Sequence, residues 1–197
     1  MIAAIDNTIL TILLNKKASP RPNPSTGKPA EHCKERIEAL IDGLSAKNGT
    51  LLVPAPALAE ALSGTEAAEA YIETLKSFAA IEIASFDGKA AYEFGKMIRE
   101  AKIKGDKRSG QSGDWAYVKM DRAIVAIALS RKVDVFYSDD GPQISFARTV
   151  GLVVQSTWDL DLLPEYAQTS FESIEGTEWP KQTKPPKTNG LDRPPAS

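Results

Sequence analysis

Five acidic residues in this sequence sit against strongly apolar stretches, where an isolated carboxylate is costly to bury. Asp6 ends the run "IAAI", Glu60 lies in "VPAPALAEAL", and Asp121 lies in "KMDRAIVAIAL". Asp139 and Asp140 follow "VDVFY" as the adjacent pair of "SDDG". If four or five such carboxylates converge, they repel one another. At an effective dielectric of about 20, two unit charges roughly 4 Å apart interact by about 4 kcal/mol. Such a cluster takes up protons or holds cations. Oxygen-only donors, with water completing the shell, suit Mg²⁺ or Mn²⁺. One or two such ions can polarise a phosphodiester, lower the pKa of a bound water and stabilise a leaving oxygen.

Taken singly, each acid also has a structural reading. Asp6 is a turn residue, Glu60 an exposed helix residue, Asp121 a partner for Lys119 or Arg122, and "SDDG" a turn with a helix cap. The combination carries the chemical reading, because every one of them abuts an apolar element.

The elements that must position these acids alternate along the chain. Short apolar runs at Ile2 to Ile5, Leu51 to Val53, Ile81 to Ala84, Val133 to Tyr137 and "LVVQS" read as buried strands. Between them, Ile37, Leu40, Ile41 and Leu44 recur at helical spacing, and Pro54 and Pro56 open a helix carrying Leu58, Glu60 and Leu62. Ser63 and Glu66 form a capping box for a helix over Ala67 to Phe78. Asp87 caps a helix running to about Lys102, and another covers Trp115 to Ser130. Strands separated by helices predict a three-layer α/β/α fold around a mostly parallel sheet. In such a sheet ligands bind at the carboxyl ends of the strands, where Asp6 and the Asp139–Asp140 pair fall. Helices that follow those strands open on the same edge, which brings Glu60 alongside.

Composition narrows the classes. A 42 per cent hydrophobic content supports a real core, so wholesale disorder is excluded, and a net charge of −2 argues against nucleic-acid binding through bulk charge. The single cysteine, Cys33, precludes an internal disulfide and fits a reducing, cytoplasmic compartment. The apolar start is interrupted by Asp6 and has no basic n-region, so it is neither a signal peptide nor a spanning helix. Six of the thirteen prolines lie from Pro164 onward, so 1–163 reads as the domain and 164–197 as a proline-rich disordered tail. One histidine makes a Ser-His-Asp hydrolase improbable, and His32 with Cys33 lacks partners at metal spacing. No glycine-rich phosphate loop is present, and the three tryptophans lack the spacing of a stacking platform.

The order "AAIDNTIL", "PAPALAEAL", "KMDRAIVAIAL" and "VFYSDDGPQISFARTVGLVV" resembles the PIN-domain ribonucleases, which include VapC-type toxins of toxin–antitoxin pairs. The resemblance covers Ile2 to Val154 and implies a Mg²⁺- or Mn²⁺-dependent endoribonuclease. By position, Asp6, Glu60, Asp121 and Asp140 match the four acids of the family, with Asp139 an outer-sphere or second ligand. Thr8 and Ser138 match hydroxyl positions flanking the metal site. The implied partners are an RNA substrate, a small antitoxin protein and a second copy of the chain; a membrane is not among them. The proline-rich insert after Lys16, the basic linker around Lys104 to Gly113 and the tail depart from the usual small toxin.

Two alternatives remain. A non-catalytic PIN-like module for RNA or protein would be favoured by a missing acid, and none is missing. A haloacid-dehalogenase-type phosphatase needs a second acid two residues after the nucleophilic Asp, and Thr8 stands there. Two basic segments offer a path for RNA. Lys96, Arg99, Lys102, Lys104, Lys107 and Arg108 face only Glu100 and Asp106, while Lys16, Lys17, Arg21 and Lys28 lie in a stretch without any acid between Asn7 and Ala30. Lys104, Lys107 and Arg108 are the named candidate RNA-binding residues.

Overall fold

A computed structural model describes residues 1–15, 17–105 and 114–164. The expected tail from 165 onward, together with Lys16, Lys107 and Arg108, lies outside the described residues.

The apolar runs become strands β1 (Ile2–Ile5), β2 (Thr50–Pro54), β3 (Ile81–Ala84), β4 (Val135–Tyr137) and β5 (Val154–Gln155). They form one sheet in the order β3-β2-β1-β4-β5, with every neighbouring pair parallel. β4 starts two residues later than Val133, where the Asp134 carboxylate accepts from the Ile2 amide N–H at 2.7 Å and aligns the strand with β1. β5 is likewise shorter than "LVVQS".

The helices are α1 (Asn7–Leu14), α2 (Cys33–Ala46), α3 (Ala55–Ser63), α4 (Ala68–Ser77), α5 (Gly88–Ile103), α6 (Trp115–Ser130) and α7 (Gly141–Thr149). Successive strand residues point to opposite faces, so a doubly covered parallel strand is apolar throughout. Ala3, Ile5, Leu51, Val53 and Tyr137 enter one core with Ile9, Ile37, Ile41, Leu58 and Leu75 of α1 to α4. Ala4, Leu52 and Phe136 enter the other with Met97, Ile124, Val125, Ile127 and Phe146 of α5 to α7. That is the expected three-layer α/β/α arrangement.

One local expectation is overturned. Ser63 does not cap α4; it is the last residue of α3, and its hydroxyl donates to the Glu60 carbonyl at 2.8 Å. The break falls at Gly64, and α4 begins after Ala67 without a side-chain cap.

Two features of the topology position the site. From β1 the chain steps outward through β2 to β3, then returns to β4 on the other side of β1. The direction of winding therefore reverses between β1 and β4, and a crevice opens at their carboxyl ends. The second feature is the α5–α6 pair. Arg131, just past α6, reaches Asp87, the cap of α5, at 3.5 Å. The two helices are therefore antiparallel, which puts the end of α5 beside the start of α6.

Candidate active site

Asp6 ends β1 inside the crevice and is completely buried. Its Oδ1 accepts from the Thr8 hydroxyl at 2.7 Å and the Ile9 amide at 3.0 Å, and its Oδ2 accepts from the Ser138 hydroxyl at 2.5 Å. The bond from Ile9 makes Asp6 the N-cap of α1. Burial pushes its pKa up to about 6 against the pull of these three donors, with the Asp139 charge adding to the rise.

Asp140 is the N-cap of α7, its Oδ1 accepting from the Gln143 amide at 2.9 Å. Glu60 projects from α3 and Asp121 from α6. Asp6, Glu60, Asp121 and Asp140 line one cleft of about 400 Å³, together with Asn7, Thr8, Arg21, Ser63, Tyr117 and Gln143. The charges of the other three act on Asp121. Asp121 is pushed up to about 7, chiefly by burial and then by the charges of Asp140, Glu60 and Asp6, with Arg21 opposing. Burial also raises Glu60.

Asp139 is placed differently. Its Oδ1 accepts from the Thr157 amide at 2.8 Å and its Oδ2 from the Thr157 hydroxyl at 2.6 Å. It thus ties the end of β4 to the turn after β5 and does not line the cleft of the other four. Burial raises its pKa, and the two Thr157 bonds oppose that.

Thr8 and Ser138 brace the site as a pair. Each hydroxyl donates to Asp6, and each accepts a backbone N–H from the pair after β4: Asp139 to Thr8 and Asp140 to Ser138, both at 3.0 Å. Thr8 therefore takes up one oxygen of Asp6 at the position where the phosphatase reading requires a second acid.

The donor set is all oxygen, and mutual repulsion helps carry one member to a pKa about 7. Those are the properties that fit a hard divalent cation. Among the described residues, however, no three acidic, histidine or cysteine side chains stand as a ready-made ligand group. The carboxylates share a cleft without meeting at a point.

Sequence reasoning did not foresee Arg21 in this cleft, nor Asn7, Ser63, Tyr117 and Gln143. Arg21 was legible only as part of an acid-free basic stretch. Lys104, at the end of α5, lines a separate cavity with Met97, Glu100, Ala101, Phe146, Thr149 and Val150. Cys33 is a core residue, its thiol donating to the Ala30 carbonyl at 3.0 Å.

No family model and no curated protein matches the chain. Solved structures do. VapBC2 from Rickettsia felis, bound to a DNA fragment from its promoter, aligns with 79% of this chain and 98% of its own at 21% identity and a TM-score of 0.53. DNA-bound VapBC from Salmonella typhimurium covers 80% and 98%, at 17% identity and a TM-score of 0.53. The fold is PIN-like. That agrees with the sequence resemblance, and Asp6, Glu60, Asp121 and Asp140 line the cleft where the sheet changes direction. No described helix is long and apolar enough to cross a membrane.

Proposed function

We propose that the chain is a Mg²⁺- or Mn²⁺-dependent endoribonuclease. The observation carrying this reading is that Asp6, Glu60, Asp121 and Asp140, from four separate elements, line one cleft at the sheet's reversal point. Asp6 and Asp140 would hold the cation most directly, with Glu60 and Asp121 completing its shell directly or through water. When bound, the cation supplies Lewis-acid polarisation of a phosphodiester and neutralises charge on the leaving oxygen.

The protein's own groups do the rest. Thr8 and Ser138 fix the Asp6 carboxylate from two sides, so its orientation is set before substrate arrives. Burial and the charges of Asp140, Glu60 and Asp6 raise Asp121 to about 7 in the cation-free cleft, a repulsion that a bound cation would offset. Asn7 and Tyr117 stand at the cleft wall as polar groups for the nucleic acid. Cleavage would leave a 5′-phosphate and a 3′-hydroxyl.

The fold similarity to VapBC chains supports a further reading as the toxin of a toxin–antitoxin pair, with a small antitoxin covering the cleft and a second copy of the chain as partner. The decisive assay is cleavage of single-stranded and transfer RNA with Mg²⁺ or Mn²⁺, against excess chelator and the variants Asp6→Asn and Asp121→Asn. Each variant deletes charge and keeps shape, so circular dichroism should be unchanged while cleavage falls by about 10² or more. Full cleavage by both variants, or in chelator, overturns the reading. Growth arrest on expression that disappears with Asp6→Asn supports the toxin role.

A further inference from the structure

The acidic cleft contains one basic lining residue among those described, Arg21. Its Nη1 lies 2.8 Å from Asp140 Oδ2. Asp140 Oδ1 is meanwhile occupied by the Gln143 amide, a bond that α7 needs for its first turn. Both oxygens of Asp140 thus have partners, and the one that can be given up without uncapping a helix is the guanidinium.

Arg21 arrives on the insert between α1 and α2, and that insert has internal structure. The Asn23 amide donates to the Lys28 carbonyl at 2.8 Å, the Gly27 amide to the Asn23 carbonyl at 2.8 Å, and the Ser25 amide to Asn23 Oδ1 at 2.8 Å. Pro22 and Pro29 face each other in a bridge. The turn is held by its own hydrogen bonds rather than by the ion pair. With no acid between Asn7 and Ala30, the charge partner of Arg21 lies outside the insert, in the cleft. The Arg21 side chain is 54% exposed against 21% for Asp140, so the guanidinium can leave while the carboxylate stays.

We propose that Arg21 is an exchange residue: in the free protein it neutralises Asp140, and on substrate binding its guanidinium passes to a phosphodiester of the RNA, releasing Asp140 to the divalent cation. This deepens the nuclease reading and rests on it. A phosphodiester presents the same two-oxygen edge to a guanidinium as a carboxylate does. A guanidinium and a divalent cation at the same Asp140 oxygen exclude and repel each other. Affinities for cation and for nucleic acid are then linked through Arg21, and the linkage is reciprocal. The insert is thereby a coupling device that keeps the cation site weak until a phosphate is present.

The test is Mn²⁺ affinity, measured by calorimetry on the full chain and on Arg21→Ala, with and without a phosphorothioate oligoribonucleotide that resists hydrolysis. Without the oligonucleotide, Arg21→Ala should bind Mn²⁺ about five-fold tighter than wild type, the lower end of ordinary coupling for so exposed a pair. The oligonucleotide should then tighten Mn²⁺ binding by the wild type more than by the variant. Equal or weaker binding by Arg21→Ala, no binding by it, or equal tightening in both proteins overturns the exchange. Cleavage is scored separately. Active cleavage with equal Mn²⁺ affinities removes the exchange alone, whereas the expected affinity pattern without cleavage upholds the exchange and removes the nuclease reading.

Discussion

Ser138 Oγ donates to Asp6 Oδ2 at 2.5 Å, joining the end of β4 to the end of β1 across 132 residues of sequence. The same hydroxyl accepts from the Asp140 amide at 3.0 Å, so one buried side chain sets two of the four cleft acids. Ser138→Ala leaves the buried Asp6 carboxylate one donor short and frees the Asp140 amide. The expected cost is about 1–3 kcal/mol of stability in urea unfolding, with a loss of cleavage larger than the stability loss explains. Unchanged unfolding and unchanged cleavage together would show that the pairing is incidental.

The buried acids should make stability fall as pH rises, against the opposite contribution of Asp87, whose carboxyl is lowered chiefly by its bond from the Ala90 amide. Asp6 is raised from 3.8 to about 6 and Asp121 from 3.8 to about 7, while Glu60 and Asp139 are raised too. A carboxyl that holds its proton more tightly when folded favours the folded state below its unfolded pKa, and that advantage is lost as pH rises through the folded value. In chelator, the melting temperature should therefore fall between pH 4 and pH 7 through these groups. Asp6→Asn should flatten the profile, and Mn²⁺ at neutral pH should restore wild-type stability but not that of the variant. A wild-type profile that rises over this range in chelator would contradict the burial argument.

Asp139 and Asp140 are adjacent and should behave in opposite ways. Asp139→Ala strips the Thr157 amide and hydroxyl of their acceptor and should cost about 1–3 kcal/mol, with little change in Mn²⁺ affinity. Asp140→Asn retains an acceptor for the Gln143 amide, so stability should hold while Mn²⁺ affinity drops. The reverse pattern in calorimetry and urea unfolding would move the ligand role to Asp139.

Much of this arrangement was legible because a doubly covered parallel strand is a continuous apolar run, and Asp6, Asp139 and Asp140 end or follow such runs. The structural and chemical readings of Asp6 and Asp140 also proved compatible. Each caps a helix with one oxygen, and a capping carboxylate at a strand-to-helix turn already points into the crevice. What sequence could not show lies in contacts between distant segments. α1 follows β1 as one apolar run, and periodicity over so few residues does not separate helix from strand. Ser63 and Glu66 have the spacing of a capping box, yet the helix boundary at Gly64 decided which helix Ser63 belongs to. Arg21 reads as surface charge until the insert is seen folded over the cleft. The different placement of Asp139 and Asp140 depends on Thr157, which nothing near "SDDG" announces.

The proposed RNA substrate would bring a polyanion to an acidic cleft, so positive charge nearby is physically expected. The antiparallel α5–α6 pair puts Lys104, at the end of α5, at the same end as the start of α6, which supplies Tyr117 and Asp121 to the cleft. Lys104, which lines a cavity separate from the cleft, is proposed to bind the RNA backbone together with Lys107 and Arg108, which lie outside the described residues. Each cation–phosphate pairing removed should shallow the salt dependence of single-stranded RNA binding by about 0.7 in log–log slope. Replacing all three by Ala should therefore flatten the slope by about 2 and weaken binding at low salt. Mn²⁺ affinity should stay at the wild-type value, because Lys104 is not among the residues that line the cleft. Filter binding across a salt series, with calorimetry for Mn²⁺, measures both. An unchanged slope assigns the segment to solvated surface.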